Sequence, residues 1–144
     1  MPTLYPTHSC FDDALDYIGA RALAHPELVD QTTLILVHGI ALGDDGHPYA
    51  HAWCEEDGEC WDTALVDNDP DQKISYAVPR ADFYAARRIQ ESSSYTIRQA
   101  MALNAVTGHY GPWNEKYRAI CGHGDRRIVA SIQVEGWAAK KREW

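Results

Sequence analysis

Apolar and polar positions alternate with two different periods along the chain, and each period predicts its own element. Phe11, Ala14, Leu15, Ile18 and Ala22 recur at helical spacing, which predicts a helix over 9–24 with Ser9 as N-cap, Asp12 and Asp13 in the first turn, and Pro26 as its stop. Residues 32–41 form a β-branched and apolar run suited to a buried strand, and the Gly, Asp and Pro of 43–48 predict a turn. A second strand is expected over 49–56, a two-residue hairpin turn at Asp57-Gly58, and a returning strand over 59–65. An acidic loop follows at 67–71, then a strand at 73–78 and a helix opened by Pro79 and running to about residue 90. Ser92 to Ser94 are expected to cap a helix over 95–106 that ends at Gly108. Beyond it, His109 to Trp113 are turn-prone, 128–134 alternate as a last strand, and Lys140, Lys141 and Arg142 read as a solvated tail. Strands and helices segregated in this way predict an α+β fold, with helices packed on a small, mostly antiparallel sheet.

Composition narrows the classes of function. The chain has 144 residues, 45% hydrophobic and 24% charged, the profile of one ordinary globular domain spanning 1–144. Thirteen Lys and Arg against 21 Asp and Glu give a net charge of -8, so a phosphate-binding surface would have to be local and nucleic acid is not an expected partner. The longest apolar run is broken at His38 and is too short to cross a bilayer, so no membrane association is expected. Residues 1–10 carry neither a basic nor an apolar segment of the export type, which predicts a cytoplasmic protein with free thiols at Cys10, Cys54, Cys60 and Cys121.

The hairpin turn fixes which side chains share a face. Pairing about Asp57-Gly58 sets Glu56 opposite Glu59, Glu55 opposite Cys60, and Trp53 opposite Asp62. His51, Trp53, Glu55, Cys60 and Asp62 then lie on one face, with Ala52, Cys54 and Trp61 on the other. His51 and Asp62 become diagonal neighbours roughly 7–8 Å apart at Cα, close enough for the carboxylate to hold one imidazole nitrogen and leave the other as a base. Cys54 points away from His51, so the two are not expected to share a metal, and no metal or organic cofactor is expected. Cys60 lies on the order of 13 Å along the strands, too far to be the thiol partner. His8, His25, His38, His47, His109 and His123 fall mostly in expected loops or ends and carry no ligand spacing.

Cys10 is the remaining candidate nucleophile. It falls in the first turn of the first helix, where unpaired backbone N–H groups and the helix dipole lower a thiol pKa and can hold an oxyanion. Asp12, Asp13 and Asp16 oppose that effect, so activation is expected to lean on an ion pair with protonated His51. A helix-start Cys within Ser9-Cys10-Phe11-Asp12-Asp13-Ala14, a strand with His51-Ala52-Trp53 and a neighbouring strand with Trp61-Asp62 resemble the Cys, His, Asp order of the transglutaminase-like branch of papain-fold cysteine hydrolases. The resemblance covers about residues 8–65, and its stretch from Leu36-Val37-His38-Gly39 through His51-Ala52-Trp53 to Trp61-Asp62 is similar to small bacterial and phage members and to lasso-peptide leader proteases. It implies a papain-like fold and thiol-dependent acyl transfer on an amide of a peptide or protein, as protease, amidase, deamidase or transglutaminase. Cys10 would be the nucleophile, His51 the base and Asp62 the orienter. Where many transglutaminases have Gly or Trp before the Cys, this chain has His8-Ser9, so no oxyanion-hole side chain carries over; Tyr5, His8 and Ser9 are nearby candidates. Trp53, His8 and Tyr5 are the candidate substrate contacts. The alternative from another class is a non-catalytic protein-binding or inhibitory module that keeps the fold and engages a partner through its acidic and aromatic surface.

Overall fold

The computed structural model describes residues 3–6, 10–43, 45–62, 65–66, 74–121, 132–133 and 138–141. Its elements in chain order are β1 (Thr3–Pro6), α1 (Cys10–Ala24), a 3-10 turn (Pro26–Asp30), β2 (Leu34–Leu42), β3 (Pro48–Glu56), β4 (Glu59–Asp62), β5 (Leu65–Val66), β6 (Ile74–Pro79), α2 (Arg80–Arg87), β7 (Glu91–Thr96), α3 (Ile97–Thr107), α4 (Glu115–Cys121), β8 (Ile132–Gln133) and β9 (Ala138–Lys141). Six strands form one sheet in the order β7-β2-β3-β4-β6-β9, and every neighbouring pair is antiparallel. A smaller sheet joins β5, β1 and β8. The architecture is α+β, as the patterning predicts.

The β3–β4 hairpin turns through Asp57 and Gly58, both with positive φ (53° and 78°), the backbone that two-residue hairpins require. Its register pairs Glu56 with Glu59, Glu55 with Cys60 and Cys54 with Trp61, in agreement with the pairing read from the sequence. Strand alternation then divides the core in two. Leu34, Leu36, Ala52 and Cys54 face Phe11, Ala14, Leu15 and Ile18 of α1 and Ile97 and Ala100 of α3. Val37, Trp53, Cys60 and Val78 face the other way and pack on Phe83 of α2. Phe83 and Arg87 are four residues apart, so both lie on the buried side of α2, and burying an arginine on an otherwise apolar stripe demands a counter-charge inside.

Several local expectations are corrected. Ser92 to Ser94 do not cap a helix; they lie in β7, whose backbone satisfies the outer edge of β2. The cap is Thr96, whose hydroxyl accepts from the Gln99 N–H while the Gln99 side chain accepts from the Thr96 N–H, a reciprocal pair that starts α3 two residues later than the serines suggest. The solvated tail is replaced by strand β9, in which Lys140 and Lys141 pair with Ser75 and Ile74, while Arg142 lies outside the described residues. Strand β1 and helix α4 have no counterpart in the hydrophobic pattern. The acidic loop at 67–71 and most of the expected strand at 128–134 lie outside the described residues.

Gly39 pairs with His51 in the β2–β3 register, and the ring of Trp53 lies across it. A Cβ there would stand 2.6 Å from Trp53 Cη2 and 2.8 Å from the Glu91 carbonyl oxygen. Both neighbours are held, one by full burial and one by the β7 backbone. Gly39→Ala should therefore lower the unfolding free energy by about 1–3 kcal/mol, measured by urea denaturation; an unchanged midpoint would mean that the Trp53 ring has room to move.

Candidate active site

His51 leaves β3 on the α2 side of the sheet and meets Asp62 at the end of β4, with Nε2 2.9 Å from Oδ2. Both are buried, His51 at 3% and Asp62 at 0% exposure. The diagonal contact expected from the hairpin register is thus made. The same Asp62 oxygen accepts from Arg87 Nη2 at 2.5 Å, and Arg87 Nη1 donates to the Tyr49 hydroxyl at 2.8 Å. The arginine, buried to 1%, is the functional neighbour that sequence reasoning missed. Its one available signal was its place four residues after Phe83, on the apolar stripe of the second predicted helix.

These charges set the protonation states. Burial by itself would raise the Asp62 pKa, but the Arg87 cation and the His51 ring overcome it and hold the carboxyl well below the usual carboxylate range. Burial lowers the His51 pKa, and the Arg87 cation lowers it further, outweighing the attraction of Asp62. At neutral pH the pair is therefore a neutral imidazole donating to a carboxylate, and the imidazolium expected from the sequence is not the resting form. Ionised Asp62 can only accept, so Nε2 carries the proton and Nδ1 keeps a lone pair. Among the described residues no hydrogen bond engages Nδ1.

Cys10 is the first residue of α1 and is half-buried, packed against the apolar cluster on the α1 side of the sheet. The Tyr49 ring lies 6.0 Å from the His51 ring. Cys10 thus packs on the α1 side of the sheet, whereas His51 and Tyr49 face the α2 side with Asp62 and Arg87. Cys54 and Cys60 are fully buried, and burial pushes both thiols well above their usual range, so neither is a competing nucleophile.

The candidate substrate contacts fare differently. Trp53 is fully buried, its indole N–H donated to Glu55 Oε2 at 2.9 Å and its ring stacked at 26° behind His51. It supports the imidazole and has no surface left for a ligand, because α2 and β6 cover it. Glu55 also accepts from Tyr84 and Arg80, which completes a polar network on that face. Tyr5 stands in β1, paired with Val66, while His8 and Ser9 lie outside the described residues. Among the described residues no group of three or more His, Cys, Asp or Glu side chains is arranged to hold a metal ion, and no helix is long and apolar enough to cross a membrane. No family model, curated protein or solved structure matches the chain.

A second histidine lies at the centre of the fold, inside the buried strand expected over 32–41. His38, in β2, has 0% exposure and is ringed by Phe11, Tyr95 and Trp113 at centroid distances of 4.7, 5.1 and 5.0 Å. Neither of its ring nitrogens has a hydrogen-bond partner among the described residues. Gly111, at φ 106°, comes so close that a Cβ there would sit 2.6 Å from His38 Cε1. Burial, with a smaller contribution from His51, pushes the His38 pKa down to about 3. The unfolded chain takes up a proton there near pH 6.5, so stability is whole above that value and falls as the pH drops toward 3. His38→Leu should recover about 2 kcal/mol relative to the wild type on going from pH 7 to pH 5, read from urea unfolding at the two pH values. His51, shifted in the same direction, keeps a share of the slope. An identical slope in the variant would show that His38 is protonated in the folded protein.

Proposed function

We propose that the protein is a thiol-dependent acyl transferase acting on an amide bond of a peptide or protein, with a transglutaminase-like papain fold, Cys10 as nucleophile, His51 as base and Asp62 as orienter. The observation that carries this reading is the buried 2.9 Å contact of His51 Nε2 with Asp62 Oδ2, which fixes the tautomer and leaves Nδ1 with a lone pair. Position supports the thiol assignment: of Cys10, Cys54 and Cys60, Cys10 alone combines a helix start with remaining exposure.

Arg87 changes the chemistry expected of such a site. Burial, and after it the Arg87 cation that already balances the charge of Asp62, disfavour the imidazolium, so His51 rests as a neutral base. His51 Nδ1 then removes the thiol proton as sulfur attacks the carbonyl carbon, in general-base fashion. The backbone N–H groups at the start of α1 face the developing oxyanion. The proton on Nδ1 passes to the leaving amine, and water or a second amine resolves the thioester. Hydrolysis, deamidation and transamidation share every step up to that last one.

The alternative, a non-catalytic binding or inhibitory module, is favoured by one feature: the His51 side chain is only 4% exposed and is tied to a buried ion pair that would hold the fold without any reaction. Thiol chemistry separates the two. Cys10 should be acylated by p-nitrophenyl acetate and alkylated by iodoacetamide faster than Cys54 and Cys60. Cys10→Ala should abolish p-nitrophenol release, while Cys54→Ala and Cys60→Ala retain it, with labelling sites read by mass spectrometry. If Cys10 reacts no faster than free cysteine and His51→Ala changes nothing, the binding-module reading stands instead.

The neutral resting pair has its own pH signature. Because the His51 pKa is lowered, its base form persists below pH 6.5, and the acid limb of the kcat/KM profile should lie below that value. A profile that instead rises only above pH 6.5 would mean that Arg87 does not set the charge of the site.

A further inference from the structure

The turn between α3 and α4 is fastened at one residue by two histidines. His38 presses on Gly111 so closely that a Cβ there would sit 2.6 Å from its Cε1. His109 holds the same residue within the turn, its Nδ1 accepting from the Gly111 N–H at 3.1 Å. The His109 carbonyl closes the turn further, accepting from Asn104 Nδ2 and from Trp113 Nε1, both at 3.1 Å. The Trp113 ring is thereby laid against His38 and Tyr95, at 5.0 and 5.1 Å. Beyond the turn, α4 rests on the sheet through buried Tyr117, whose hydroxyl lies 3.3 Å from Ser93 Oγ, and through the exposed pair of Lys116 with Glu91. An exposed ion pair contributes little, so apart from Tyr117 the hold of residues 109–121 on the sheet is the packing around His38.

Both histidines can hold the turn only while neutral. A proton on His109 Nδ1 removes the lone pair that accepts from Gly111. A charge on His38 would be buried among three aromatic rings, with no acceptor for either ring nitrogen among the described residues. The titratable groups on the elements packed around that ring are Cys10, Asp12, Asp13 and Asp16 early in α1, and Glu91 and Tyr95 of β7. The turn adds His109 and Tyr110, and α4 adds Glu115, Lys116, Tyr117 and Arg118. None of the carboxylates accepts from His38, and His51, on the other face of β3, adds to burial in disfavouring the charged ring. Water reaches His38 at lowest cost by lifting the turn: Phe11 is buried in the core, whereas Gly111 and Trp113 are half-buried, and moving 109–121 breaks no strand pairing. We propose that this turn is an acid-released latch: protonation of His38, assisted by His109, frees residues 109–121 from β2 and β7 while the six-stranded sheet stays folded.

Amide hydrogen exchange of the full chain, read by mass spectrometry at pH 7 and pH 5 and corrected for the intrinsic rate at each pH, tests the latch. An imidazole that stays neutral while buried and titrates near 6.5 once freed raises the opening constant about 25-fold between those two pH values. Peptides from 111–121 should show at least that rise, and at pH 5 should open about tenfold or more above peptides from β2 and β3. In His38→Leu the rise should be smaller than in the wild type by about 25-fold. Adding His109→Asn, whose Oδ1 accepts from Gly111 without titrating, should abolish what remains. A rise in His38→Leu equal to that of the wild type would overturn the proposal. So would a single opening constant for 111–121 and the sheet at pH 5, since acid would then unfold the protein as a whole. If His38→Leu lacks a cooperative unfolding transition, His38→Met, unbranched and uncharged, takes its place with the same expected outcome.

Discussion

The structure turns on one buried carboxylate. Asp62 holds a negative charge with no exposed surface, at the end of a strand, and Arg87 and His51 compensate that charge by both donating to the same oxygen. Removing any member leaves another polar or charged group buried without compensation, which costs far more than the net worth of the pair. The three side chains come from β3, β4 and α2, so this cluster also fixes how α2 lies on the sheet. Tyr49, on β3, is the fourth member, its hydroxyl accepting from Arg87.

From that constraint follows a division of labour between the two faces of the sheet. The α1 and α3 side is apolar and closes around Leu34, Leu36, Ala52 and Cys54, with His38 sealed among aromatic rings. The α2 side mixes packing with charge: Trp53, Val78 and Phe83 pack beside Glu55, which accepts from Tyr84 and the exposed Arg80, at one end and beside the buried His51, Asp62 and Arg87 at the other. Low polarity makes each of those electrostatic contacts stronger than it would be in water. It also explains why the imidazole rests neutral, since burial and a nearby cation act together against its charged form. The imidazolium is thus disfavoured by burial first and by Arg87 second.

His38 has no evident part in that chemistry. It lies in the centre of β2, unpartnered among the described residues, where an apolar side chain of similar size would cost nothing. Gly111 accommodates it by leaving out a Cβ, so the two positions depend on each other. The result is a core that is weakened by acid on both faces.

The hairpin was legible in the sequence for a local reason. Asp57-Gly58 supplies the positive φ values of a two-residue turn, and once the turn is placed, strand alternation decides which residues share a face and which are diagonal neighbours. His51 and Asp62 could be paired, and Cys54 and Cys60 set aside, from spacing alone. The end of α3 at Gly108 was equally local, set by a left-handed glycine. What only the tertiary structure decided is whatever depends on contacts between elements distant in the chain. Arg87 lies 25 residues from Asp62 and 38 from Tyr49, and nothing in its own neighbourhood distinguishes it from Arg88 except a helical spacing to Phe83. Ser92 to Ser94 read as helix caps until β2 is seen to need a partner for its outer edge. The full burial of Trp53 follows from α2 closing over it. Periodicity fixes a residue's face, but protonation and access depend on what the rest of the chain brings to that face.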